Sequence, residues 1–144
     1  MTPDLRQNPL MSFRFRVEID GIISAYASEI SGLSRETETE PYEEGGVNDG
    51  IHQLPKRTKY QNITLKRGIT DRDELWKWHQ DVIEGRFKRR NGAIILMDGE
   101  GGEKWRWNFI QAYPVKWTGP DLRAESNTVA FESVELAHHG ITKG

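Results

Sequence analysis

Residues 13–19 read F-R-F-R-V-E-I, and this period of two constrains the chain more than any other feature it carries. Phe13, Phe15, Val17 and Ile19 fall on one face and Arg14, Arg16 and Glu18 on the other, as in a strand with one buried face. Asp20-Gly21 supplies a tight hairpin turn. The return segment from Ile22 to Ile30 is apolar and leads to Ser31-Gly32, a second turn signal. Such a succession builds antiparallel β structure.

The pattern recurs downstream. Tyr60 to Arg67 reads as a strand with Ile63 and Leu65 inward, ended by Gly68. Asn62-Ile63-Thr64 matches a glycosylation sequon, but its place in a strand makes a structural role the better reading. Ala93 to Met97 is a short continuous apolar run, typical of a buried strand, preceded by the Asn91-Gly92 turn and followed by a hairpin loop at Asp98–Gly102. Lys104 to Phe109 alternates again, and Ala112 to Trp117 continues it past Pro114, where a bulge or an edge is expected. Asn127 to His138 forms the last strand. Its apolar set slips from Val129 and Phe131 to Val134 and Leu136, which predicts a β-bulge near Glu132 or Ser133.

One segment has the helical period instead. Leu75, Trp78, His79 and Val82 stand at i, i+3, i+4 and i+7, Asp71 and Glu74 have the spacing of a capping box, and Gly85 supplies the stop. The expected helix covers about residues 71–84. The fold class is therefore mainly β: an antiparallel β-sandwich or barrel with one capping α-helix. The 144 residues suit a single domain over 1–144, and they contain no internal repeat.

Composition removes several function classes. The absence of Cys excludes disulfide frameworks, thiol catalysis and Cys-type metal sites, and fits synthesis in a reducing compartment. A formal net charge of −2 argues against a dedicated nucleic-acid binder. No apolar run approaches the ~18 residues of a membrane span, and residues 1–10 lack the apolar core of a secretory signal. Synthesis and assembly in the cytoplasm are the expectation, the final particle being cytoplasmic, membrane-anchored or released. His52, His79, His138 and His139 lack metal-ligand spacing, and no nucleophile or phosphate-loop signature is present. No catalytic, metal or cofactor site is expected. Trp105, Trp107 and Trp117 could stack sugar rings or bases, yet alternate aromatics on an antiparallel strand more commonly fill a core.

Two stretches do not fit a simple core. From Leu33 to Tyr42, Arg35, Thr37 and Thr39 alternate with Glu36, Glu38 and Glu40, so neither face is apolar. Such a stretch is either a solvated edge strand or loop or a strand with water on one side and another subunit on the other. Glu43 to Lys59 carries three Gly and a Pro and shows no helical period, which reads as a loop of about 17 residues, longer than ordinary connections. It holds Val47, Ile51 and Leu54, unusual for disorder. Acidic residues precede it and Lys56, Arg57, Lys59, Lys66 and Arg67 follow, a bipolar arrangement suited to head-to-tail contact between copies, although a solvated charge run is the commoner explanation for any one such block. A basic cluster at Arg86, Lys88, Arg89 and Arg90 is a candidate partner patch, for phosphates or for the acidic strand of a neighbouring copy.

The ordered set F-R-F-R-V-E-I-D-G, S-E-I-S-G-L, E-x-E-P-Y-E-E-G-G, the block from Leu54 to Gly68, L-W-x-W at Leu75–Trp78, R-R-N-G at Arg89–Gly92 and the block from Asn127 to Gly140 resembles the inner tube proteins of contractile phage-tail-like injection systems. That resemblance implies a ring-forming fold whose hexameric rings close a β-barrel around a lumen and stack into a rigid tube. Sheath contraction would drive this tube through a target envelope. The long segment 42–59 would reach the adjoining ring through Tyr42, Glu43, Glu44, Val47, Asn48, Ile51, His52, Leu54, Pro55, Lys56, Arg57 and Lys59. Arg35, Glu36, Thr37, Glu38, Thr39 and Glu40 would line the lumen or a subunit edge, and residues 1–12 would form an N-terminal arm. Implied partners are further copies of the chain, a sheath protein, baseplate or tube-initiator proteins, a terminator cap, and a tape-measure protein or effector cargo in the lumen. Specific nucleic-acid binding is not implied beyond genome passage in a true phage. A tube subunit of a type VI secretion apparatus is the alternative within this class, the long loop and Asn127 to Gly140 favouring the phage-tail-like branch, and a monomeric carbohydrate- or nucleic-acid-binding β-module is the alternative from another class.

Overall fold

The structure is a computed structural model that describes residues 14–20, 22–42, 52–125 and 129–144. Its elements run β1 (Arg14–Ile19), β2 (Ile23–Ala27), β3 (Glu29–Ser31), β4 (Arg35–Tyr42), β5 (His52–Tyr60), β6 (Ile63–Gly68), α1 (Glu74–Ile83), β7 (Arg90–Met97), β8 (Glu103–Thr118), β9 (Phe131–Ala137) and β10 (Ile141–Lys143).

The alternating segment becomes β1, paired antiparallel with β2 on one side and β7 on the other. Neighbouring strands then follow the order β2-β1-β7-β8-β9-β6-β3. Its two ends, β2 and β3, are separated in the chain only by Ser28, whose N–H and Oγ both donate to the Lys66 carbonyl, at 2.8 and 3.0 Å. The path thus bends back on itself and closes a barrel, which removes most free edges. β8 makes the second corner: its first part pairs with β7, its last part with β9, and β10 continues the β9 side along Trp107–Phe109. Gln111 at that corner has φ 55, and the Asn91 Oδ1 accepts its N–H at 3.0 Å. The expected irregularity at Pro114 is present as a register shift between Pro114 and Lys116.

The period-two faces point where the sequence places them. Val17, Ile19, Ile63, Leu65, Ile94, Phe109, Val134 and Leu136 fill the barrel, and Leu75 and Trp78 of α1 join the same core. Trp78 also donates its indole N–H to the Lys88 carbonyl at 3.2 Å. The continuous run of β7 is buried on both faces. Ile95 clusters with Ala93 and Met97 on the face opposite the main core, and it lies in register between Arg16 and Arg106, whose heads pair with Glu18 and Glu103.

Three expectations are corrected. The 43–59 segment is not one loop, because residues 52–60 form β5, paired with β4. The helix is shorter than expected and its N-cap is Asp73, with no side-chain capping bond; the Glu74 carboxylate that a capping box needs is held by Arg67 at 3.0 Å. The last strand has no bulge at Glu132 or Ser133, since β9 pairs with β6 in unbroken register. The apparent phase slip is a buried Glu132 in an apolar register position, facing Arg67 at 2.7 Å.

Gly32 has φ +90, and a Cβ on it would run into the Asn62 carbonyl oxygen. Backbone strain and overlap combine there, so Gly32→Ala is expected to cost roughly 2–3 kcal/mol. A drop in the urea midpoint at unchanged slope checks this.

Candidate assembly arm and its root

β4 and β5 form a two-stranded sheet of their own. Their register runs from Arg35 opposite Tyr60 to Tyr42 opposite His52, with an irregularity between Thr37 and Thr39. Every described side chain from Arg35 to Pro41 and from Gln53 to Lys59 is exposed except that of Glu38, which is half-buried. At about 3.3 Å per residue the arm reaches roughly 25 Å. Among the described residues neither outer edge of the arm has a strand partner. The strand that is polar on both faces is therefore real, and no core lies beneath it.

Within the arm, Thr37 Oγ1 and Thr58 Oγ1 lie 2.9 Å apart. Glu38 pairs with Lys59 and, at 3.6 Å, with Arg57. The hydrogen bond from Lys59 holds the Glu38 carboxyl below its usual range, against a smaller opposing effect of burial. Part of the opposed charge read from the sequence thus meets inside one chain. Glu43, Glu44, Val47, Asn48 and Ile51 lie outside the described residues, as does the turn residue Gly21. Tyr42 and His52 close the described end of the arm, while Leu54, Pro55 and Lys56 lie along β5.

The arm joins the barrel at a compact root. Leu33 and Tyr60 pack against the core. Gln61 N–H reaches the Ser34 carbonyl at 3.4 Å, and Asn62 Nδ2 donates to Glu135 of β9 at 2.9 Å. The His138 ring lies across Tyr60, edge to face, at 5.8 Å. Beside the root a groove of about 210 Å³ is lined by Leu33, Arg35, Trp105, Trp107, Ile141 and Lys143. Trp107 packs against the core, as expected. Trp105 remains partly exposed under the Lys143 ammonium, 4.3 Å from its ring centre. Trp117 meets the exposed Trp76 of α1 edge to face at 4.8 Å.

The basic cluster is spread over separate partners. Arg86 pairs with Glu84 and with Asp81 at 3.9 Å. Arg89 lies 4.6 Å over the Tyr113 ring and 3.2 Å from His139 Nε2, and Arg90 donates to the Asp20 carbonyl at 2.7 Å. Lys88 is exposed, its carbonyl taken by Trp78. What the sequence conceals is the ion cluster of Arg67, Glu74 and Glu132, which ties α1 to the barrel interior. Its one visible trace is the phase slip at Glu132.

A barrel with an exposed polar arm invites comparison with known proteins. The family model for the T4-like virus tail tube protein gp19 matches residues 11–142. The chain belongs to that family. Structural neighbours agree. A chain in the six-fold symmetrised baseplate of the anti-feeding prophage superposes with a TM-score of 0.82 at 27% identity, covering 96% of this chain and 97% of that one. A chain in the sheath-tube complex of the extracellular contractile injection system PVC, in its extended state, gives 0.82 at 25% identity, with coverage of 94% and 91%. Hcp1 from Flavobacterium johnsoniae shares the fold, with a TM-score of 0.63 at 18% identity over 92% and 95%. No curated protein matches the chain significantly. The protein is a structural subunit of the tail tube of a contractile injection system. Among the described residues, no helix is long and apolar enough to cross a membrane.

Proposed function

We propose that copies of this chain close hexameric rings that stack into a hollow, rigid tube, and that the β4–β5 arm makes contacts between copies. One observation carries the reading: among the described residues the arm is exposed on both faces and tethered only at its root. An isolated two-stranded hairpin is marginal in water, so the arm needs a partner surface that the barrel of its own chain does not supply. A surface that rotates closed makes a ring, and a second one along the axis makes a filament.

In this reading Arg35 to Glu40 border the lumen or a subunit edge, and residues 42–59 reach the adjoining ring. Arg86, Arg89 and Arg90 have partners within their own chain, and the exposed Lys88 side chain is the part of the basic cluster left to a partner. The partners are a sheath, baseplate or initiator proteins, a terminator cap, and cargo or a tape-measure protein in the lumen. Synthesis and assembly occur in the cytoplasm. The work is mechanical, stiffness and passage, with no bond chemistry.

Electron microscopy of the purified chain at high concentration, with its mass taken by light scattering, tests this. Rings or stacked hollow tubes are expected. A monomer that persists even after baseplate proteins are added as nuclei would defeat the reading.

A further inference from the structure

The groove beside the arm root and the far end of the arm are complementary, yet one chain cannot bring them together. The groove has apolar walls from Leu33, Trp105, Trp107 and Ile141, and Arg35 and Lys143 are its cations. The Trp105 and Trp107 ring centres lie 5.8 Å apart, with the planes inclined at 37°. Among the described residues no carboxylate pairs with Arg35 or Lys143. An apolar cavity of about 150 Å³ takes a benzene molecule, so a groove of about 210 Å³ has room for a leucine side chain.

Such a side chain stands at the other end of the arm. Glu40 and Leu54 lie directly opposite each other in the β4–β5 register, which puts them on one face. Both are exposed, and Leu54, at 45%, is the exposed large apolar side chain of the described arm. Glu38 occupies Arg57 and Lys59, so Glu40 is the charge directly beside that leucine. At ~3.3 Å per residue Leu54 stands roughly 20 Å out from Tyr60, beyond reach of the groove at its own root. We propose that the groove receives the Leu54–Glu40 end of the arm from a second copy, the leucine seating against the two tryptophans and the carboxylate meeting Lys143. The proposal rests on the assembly reading of the arm and names the surface that the arm docks on. Donor and acceptor surfaces differ, so the contact is heterologous and propagates head to tail. Each copy carries one of each, and stacking leaves only the terminal rings with an empty groove or a free arm end.

Tube yield by electron microscopy and mass by light scattering, read across a concentration series, test this. Leu54→Ala should raise the concentration at which tubes appear by roughly tenfold or more, the scale of removing an anchor from its pocket. Glu40→Lys and Lys143→Glu should each raise it as well, most strongly at low ionic strength. Combined in one chain, these two exchange the charges and should restore growth close to that of the parent. The chain has no Cys, so Leu54→Cys together with Thr142→Cys, an exposed residue that also lines the groove, introduces the only thiols. Oxidised in tubes, this chain should give a ladder of covalent oligomers. Oxidised as a dilute monomer it should form no internal disulfide, because that bond needs Cα atoms within about 7 Å. Tubes of the cysteine chain without a ladder, single charge variants that grow like the parent, or a charge-exchanged chain no better than the single variants overturn the proposal and leave the assembly reading standing. If the cysteine chain makes no tubes, the charge exchange decides alone. A parent that stays monomeric with baseplate proteins present overturns both.

Discussion

Arg67→Ala lowers the unfolding free energy by about 3–5 kcal/mol, the range for removing one partner of a buried ion pair. Arg67 Nε donates to Glu132 at 2.7 Å and Nη1 to Glu74 at 3.0 Å, and Glu132 is only 3% exposed. The substitution leaves that carboxylate in the barrel interior without its cation, and it unties the first turn of α1. Urea unfolding measures the loss; a change under about 1 kcal/mol, the scale of an exposed pair, would show that water reaches the cluster. Arg67→Met combined with Glu132→Leu should recover most of the stability, because well-packed apolar groups replace buried ions at little or no net cost. The pH dependence has a definite sign. Burial pushes the Glu74 carboxyl up, but the hydrogen bond from Arg67, a backbone N–H and the charges of Arg67 and Arg72 together outweigh it and hold the group below its usual range. Glu74 therefore contributes stability that is present above its unfolded value and is lost as pH falls through the folded one. Arg67→Ala should flatten this part of the acid limb.

How much of this was legible in the sequence depended on whether a residue answered to its neighbours or to a distant segment. β1, β7 and the alternating part of β8 were readable because each has one face on the core, and Gly85 stopped the helix through its own φ of 78. Glu132 was misread because a carboxylate in an apolar register looks like a slip, and its justification, Arg67, stands 65 residues away. The same arginine dissolved the capping box, since Glu74 had a stronger partner than a backbone N–H. β4 showed a regular alternation without an apolar face and so read as a solvated edge strand or a loop, whereas β5 showed no alternation and, after the three Gly of 43–51 and with Pro55 inside it, read as part of the loop. Barrel closure at Ser28 left no composition signal at all. The root of the arm was equally hidden, because it is made of backbone carbonyls and one imidazole drawn together by topology.

The arm should be removable without loss of the barrel. Glu36 lies opposite Lys59 in register, so replacing residues 37–58 with Asn-Gly closes the stump with a two-residue turn whose twist matches the strands. The core residues, the Arg67 cluster and the Gln61-Asn62 link are untouched by this change. Far-UV circular dichroism should still report a β fold, and the urea midpoint should move little, because an exposed hairpin buries little apolar surface and contributes little to burial energy. Assembly should respond in the opposite way. If the arm contacts other copies, the shortened chain stays a monomer by light scattering and forms no tube, even when parent tubes are supplied as seeds. A milder variant separates shape from charge: Glu38→Lys sets three cations together on one arm in place of the pairs with Lys59 and Arg57, and should slow growth most strongly at low ionic strength. Tubes of normal length from the shortened chain would show that the barrel surface alone carries assembly. The arm would then be left with the lumen or the cargo as its field of action.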